Sequence, residues 1–169
     1  MKINSIHLGI DWEDFSLIAF DNGLIENYEI FSEEFITETN YLLNFLKKES
    51  IKCTFFCNGR TAEIYPDLVS KIDHYGHQIA AHAYNHTHRD KLTDTEFLTD
   101  CIKAKTILEK IIDKEVLGYR SPYLSFNNKN LIQSLKILSK AGYLYDSSIT
   151  YSSLKNIIKS NKFEIEKIQ

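Results

Sequence analysis

Gln78-Ile-Ala-Ala-His82-Ala-Tyr-Asn-His86 is the stretch on which the fold is decided. Its apolar start has the length of a short buried strand. Two imidazoles four residues apart follow where that strand runs out, and a third stands at His88. Three further stretches repeat the arrangement: Asp11-Trp-Glu-Asp14, Arg120-Ser-Pro-Tyr123 and Asp146-Ser-Ser148 each follow an apolar run. In parallel α/β folds ligands bind beyond the carboxyl ends of the strands. Four polar groups placed this way imply one shared pocket, with the chemistry of a metal-dependent hydrolase.

Working outward, strands and helices alternate. Ile6 to Ile10 reads as a first buried strand ending at Asp11, and residues 15 to 32, with the turn signal Asp21-Asn-Gly23, as a loop or small hairpin. Ser32-Glu-Glu-Phe35 opens a helix to about Lys48, with Phe35, Thr39, Leu42, Leu43 and Leu46 on one face. Ile51 to Cys57 is the second strand. Thr61 to Tyr75 is helical, interrupted or restarted at Pro66 and closed by Gly76.

Gln78 to Ala81 is the third strand. Thr93-Asp-Thr-Glu96 is a capping box opening a helix with Phe97, Cys101, Ala104, Ile107, Leu108 and Ile111 inward. Val116 to Tyr119 is a strand, Asn127 to Lys140 a helix, and Tyr143 to Tyr145 a short strand delivering Asp146. The tail offers a helix around Leu154 to Ile158 and a strand at Phe163 to Ile168. This rhythm predicts right-handed βαβ units and hence a parallel sheet or barrel.

Composition narrows the class. A chain of 169 residues, 43% hydrophobic and 25% charged, suits a single domain over residues 1–169. A net charge of −3 gives no basic footprint for nucleic acid and no polybasic patch for a membrane surface. No signal-peptide core or membrane span is visible, so the expectation is a cytoplasmic protein. Cys53, Cys57 and Cys101 read as reduced, buried thiols.

Catalytic zinc sites use three protein ligands and leave one position open. His82 and His86 with one carboxylate supply that set. Residues two apart on a strand share a face, so Asp11 and Glu13 point into one pocket, one as base and the other as ligand, with Asp14 in reserve if the chain kinks. Arg120 is placed to hold Asp11 by a charge-assisted bond. The turn at Pro122 aims the Tyr123 N–H at a developing oxyanion. Asp146 either joins this pocket or caps the segment after it.

Through LGIDWEDF, KCTFFCNGR, YPDLVSKIDHYGHQIAAHAYNH, LGYRSPYLSF and AGYLYDSSI, residues 5 to 150 resemble the polysaccharide deacetylases of carbohydrate esterase family 4, with their NodB-homology domain. The branch associated with exopolysaccharide biosynthesis is the most similar. The resemblance implies a distorted (β/α) barrel of about seven strands, against the usual eight, possible incompleteness at the C-terminus, and hydrolysis of an N-acetyl or O-acetyl group on a sugar or polysaccharide. It implies a divalent metal, zinc first and cobalt or another ion as alternatives. It places the base at Asp11, ligands at Glu13 (or Asp14), His82 and His86, the base-orienting arginine at Arg120 and the oxyanion N–H at Tyr123. Asp146 becomes a carboxylate that steadies the arginine side of the pocket.

The family's last motif, Leu-x-His, has no match, and no histidine follows His88. Two alternatives accompany this expectation: an impaired member that binds carbohydrate without turning it over, and a hydrolase of another non-peptide C–N bond.

Overall fold

A computed structural model describes residues 7–26 and 32–149. The readings of a helix around Leu154 and a strand at Phe163 lie outside them. Strand β1 spans Gly9–Trp12, and helices α1 and α2 span Phe15–Asp21 and Ser32–Lys48. Strand β2 (Thr54–Cys57) leads to α3 (Gly59–Ile64) and α4 (Pro66–His74). Strand β3 (Gln78–Ala81) precedes α5 (Asp94–Ile112), β4 is Gly118–Tyr119, α6 is Leu131–Lys140 and β5 is Tyr145–Asp146.

The described strands form one five-stranded sheet in the order β1-β2-β3-β4-β5, and every pairing is parallel. The order never reverses. With right-handed crossovers, strands that always advance in one direction keep their helices on one face, which is barrel-like progression and not the two-sided winding of an open sheet. About seven strands were expected from the resemblance; the described residues contain these five.

The core fills the space between sheet and helices. Trp12, Phe55, Cys57, Ile79, Ala81 and Tyr119 face Leu43, Leu46, Val69, Ile72, Phe97 and Leu108. Full burial of each large apolar side chain stabilises by about 1.5–3 kcal/mol. Cys53, Cys57 and Cys101 are buried and unpaired, and burial pushes all three thiols up.

Several local signals form as read. The Thr93 side chain accepts the Glu96 N–H while Glu96 reaches back to the Thr93 backbone, completing the capping box. Pro66 separates α3 from α4 at a first helical position. Gly76, at φ 77°, turns the chain out of α4 in a conformation costly for a side chain.

Two readings are corrected. Residues 15–21 are a helix and not part of a hairpin: Asp14 caps it by accepting the Ser16 N–H, Leu17 and Ala19 are buried, and Asn22-Gly23 ends it. Among the described residues the first strand starts at Gly9 and runs past Ile10 to include Asp11, which pairs with Phe56, and Trp12, while Ile6 lies outside them. Among the described residues no helix is long and apolar enough to cross a membrane.

Candidate metal centre and its arginine neighbour

The parallel ladder runs one bond past the strands at their carboxyl ends. Asn58 N–H donates to Trp12 O at 3.0 Å, His82 N–H to Cys57 O at 2.8 Å, Arg120 N–H to Ala81 O at 2.9 Å and Ser147 N–H to Tyr119 O at 2.8 Å. Four polar residues from distant parts of the chain therefore stand in one row. Glu13 leaves β1 at the same edge.

Glu13, His82 and His86 offer ligand atoms that all lie within 4.8 Å of one another. Glu13 Oε2 is 2.6 Å from His86 Nε2 and 3.5 Å from His82 Nε2. The ring of His82 is fixed from behind: its Nδ1 lies 2.8 Å from the Arg120 carbonyl, an acceptor only, so Nδ1 carries the proton and Nε2 presents a lone pair. Burial pushes the His82 imidazole down from its ordinary value, with Glu13 and Asp11 opposing.

A bare imidazole nitrogen thus faces a carboxylate oxygen that is buried and has no hydrogen-bond partner. Two lone pairs aimed at each other repel unless a cation lies between them. The donor set, two imidazole nitrogens and one carboxylate oxygen, is of the type that holds catalytic zinc, and these residues fit such an ion.

Asp14 goes elsewhere. It is 2% exposed, and its carboxylate accepts from Ser16 N–H at 2.9 Å, Ser16 O–H at 2.5 Å and Tyr65 O–H at 3.0 Å. Its own N–H donates to Thr61 Oγ1 at 3.2 Å. Asp14 pins the chain just past Glu13, and its carboxylate is outside the three-residue group. Of the two carboxylates, Glu13 and not Asp14 lies with the histidines.

Beside the group lies an ion pair. Arg120 Nη1 donates to Asp11 Oδ1 at 2.6 Å, Nε to Ser147 O at 3.3 Å and Nη2 to Ser147 Oγ at 2.9 Å. The guanidinium lies 3.8 Å over the Phe56 ring. Gly9 leaves the space for this: a Cβ there would stand 2.7 Å from Arg120 Nη2 and 2.9 Å from Phe56 Cε2.

Asp146 does not hydrogen-bond the arginine. It accepts from Ser148 O–H at 2.5 Å and Ser148 N–H at 2.9 Å, and Ser148 Oγ accepts Ser121 N–H at 2.7 Å. The carboxylate thereby braces the loop that follows Arg120, and burial pushes its pKa up. Ser147, which the sequence reading left unassigned, makes the direct contacts. Asp-Ser-Ser after a strand reads equally as a cap, so nothing local separated the two roles.

Tyr123 and Leu124 have left-handed backbones, φ 57° and 47°, which redirects the amides after Pro122. The Tyr123 ring is 4.7 Å from His86 and 60% exposed. Ala83 and His86 are also left-handed, at φ 57° and 51°. Such conformations cost on the order of 1–3 kcal/mol each in non-glycine residues and cluster at functional sites. A cleft of about 410 Å³ beside β1 includes Asp11, Glu13, Phe15 and Glu34 in its lining.

Residues 13–145 match the family model described as polysaccharide deacetylase. The chain is 34% identical over 85 residues to a peptidoglycan-N-acetylglucosamine deacetylase of Bacillus cereus, covering 50% of this chain and 31% of the relative. It is 32% identical over 92 residues to a chitin deacetylase of Pestalotiopsis sp, covering 53% and 31%. The chain thus spans about a third of the length of these relatives. Among solved structures, a candidate polysaccharide deacetylase from Mycobacterium smegmatis has the same fold, with a TM-score of 0.73 at 23% identity over 85% of this chain and 50% of that one. With a family model matched across most of its length, five parallel strands and this arrangement at their carboxyl ends, the chain belongs to the polysaccharide deacetylase family.

Proposed function

We propose that the chain is a metal-dependent hydrolase removing N-acetyl, or O-acetyl, groups from a sugar polymer. The observation that carries this reading is the convergence of Glu13, His82 and His86 beside the Asp11–Arg120 pair. Zinc is the ion that best suits two imidazoles and a carboxylate, with cobalt or another divalent ion as alternatives. Once bound, such an ion polarises a carbonyl and makes water a stronger acid.

The protein's residues account for the rest. Arg120 grips one oxygen of Asp11, and the other takes the proton of the attacking water. The Tyr123 N–H donates to the oxygen that becomes negative as the carbonyl turns tetrahedral. When the C–N bond breaks, the departing nitrogen needs one proton, and protonated Asp11 holds one. Water and one acetamide bond, with one proton passed through Asp11 to the nitrogen, then balance as acetic acid and an amine. These become acetate and an ammonium group when the acid gives up its remaining proton to the amine.

Acetate release from N-acetylglucosamine oligomers, with zinc supplied, tests this. Asp11→Asn should retain the metal and lose turnover by about 10²- to 10⁴-fold, the usual weight of general acid–base catalysis. Full activity in that variant would remove Asp11 from the mechanism.

A further inference from the structure

The loop that carries the two histidines is held by its backbone from two sides. At the start of α3, Asn58 Nδ2 donates to Tyr84 O at 3.0 Å and, more weakly, to His82 O at 3.4 Å, while Gly59 N–H donates to Ala83 O at 2.8 Å. From α5, Asp100 Oδ1 accepts Tyr84 N–H at 2.8 Å and Oδ2 accepts Asn85 N–H at 2.9 Å. Both oxygens of one carboxylate are committed to consecutive amides, and the second belongs to the residue directly before His86.

Asp100 is poorly suited to its position on other grounds. It sits inside α5 on the stripe of Phe97, Cys101, Ala104 and Leu108, and is 7% exposed. Aspartate is a weak helix former because it competes for backbone bonds, and an unpaired buried carboxylate is costly. Burial pushes its carboxyl up, and the two amides pull it back down. What it receives in that position is the pair of amides. The loop needs such a holder, because Ala83 and His86 are left-handed and the sequence between them has no glycine to make that conformation cheap.

We propose that Asp100 is a positioning residue of the metal centre, fixing the backbone of Tyr84 and Asn85 so that the His86 imidazole meets Glu13 and His82. The proposal rests on the metal reading above only where affinity is concerned. Without the two bonds, Ala83 and His86 relax towards ordinary backbone regions and the His86 ring leaves the group. His82, fixed by the ladder and by Arg120 O, stays.

Asp100→Asn in the full chain tests this. Asparagine accepts through one oxygen and presents an N–H₂ to the second amide, so one of the two bonds is lost at nearly constant volume. Two readouts are compared with the wild type: amide hydrogen exchange resolved by NMR in metal-free protein, and zinc affinity by competition with a chelating dye.

The expected result is at least about tenfold faster exchange at Tyr84 or Asn85 with unchanged exchange at core amides such as Val69 and Leu108. Zinc affinity should fall by about 10- to 100-fold, as for losses behind metal ligands generally. Unchanged exchange at both loop amides overturns the proposal, and so does faster exchange with wild-type zinc affinity. Uniformly faster exchange would assign Asp100 a purely structural role and overturn it too. A wild type that takes up no zinc while the exchange difference persists would instead sink the metal reading and leave Asp100 as the holder of the loop.

Discussion

Two histidines bracket β3, and they differ in almost everything except burial. His77 precedes the strand and His82 follows it, at 4% and 2% exposure. His77 packs its ring 5.1 Å from Phe55, and its Nδ1 lies 3.4 Å from the Cys53 N–H and 3.6 Å from Cys53 Sγ. His82 has one nitrogen fixed by Arg120 and the other aimed at a carboxylate, with a second imidazole beside it. At the amino end of the strand an imidazole fills space; at the carboxyl end it presents a lone pair. Parallel strands leave diverging loops at their carboxyl ends, where residues from separate units meet. Position along the strand, and not residue type, separates the two.

The largest expected effect breaks the carboxyl end outright. His86→Ala removes one of the three proposed ligands, so the about one zinc per chain expected for a three-ligand site should fall to none after gel filtration. Plasma mass spectrometry of the two purified proteins gives the ratio. Retention of zinc by the variant would mean that His86 is a neighbour of the ion's site and not part of it.

A smaller effect is expected where the carboxyl end is self-contained. Arg120 is satisfied by Asp11, Ser147 and the Phe56 face without help from any ion, so it can be disturbed separately. In Gly9→Ala the new methyl stands 2.7 Å from Nη2 and 2.9 Å from Phe56 Cε2, and the guanidinium must shift. Zinc content should stay at the wild-type value while acetate release falls by up to about 10²-fold, the scale of an ångström-level misplacement. Loss of both together would show that the arginine and metal groups are one mechanical unit.

The pattern of legibility follows the same division. Helix α2 matched its reading from Ser32 to Lys48, and β3 from Gln78 to Ala81, because caps, apolar stripes and breakers are written locally. The end of β1 was not, since the pairing of Asp11 with Phe56 and of Trp12 with Cys57 is decided by a strand far along the chain. Asn22-Gly23 was ambiguous: the same pair turns a hairpin or ends a helix, and the buried Asp14 cap chose the helix. In the site, strand-end placement brought out Asp11, Glu13, His82, His86 and Arg120. It could not say that Asp14 faces Ser16 and Tyr65, or that Asp146 acts through Ser148. Asp100 did leave a signal in the sequence, an acid three residues from Phe97 on an apolar helix stripe, which demands a buried partner.

The smallest expected effect lies at the amino end. Burial, and then the charge of Lys52, lowers the His77 imidazole below its ordinary 6.5. As pH falls through 6.5, the unfolded chain protonates this residue while the folded chain keeps it neutral. The unfolded state then binds more protons, so stability is present above about 6.5 and is lost progressively towards the lower folded value. His77→Gln removes that titration and keeps a neutral polar side chain. In thermal melts between about pH 7 and pH 5, the wild type should lose stability more steeply than the variant, and the gap should be the same with or without a chelator. Parallel slopes would mean that His77 titrates alike in both states; a gap that closes on adding chelator would tie this histidine to the opposite end of the sheet, and the contrast between the two ends would fail.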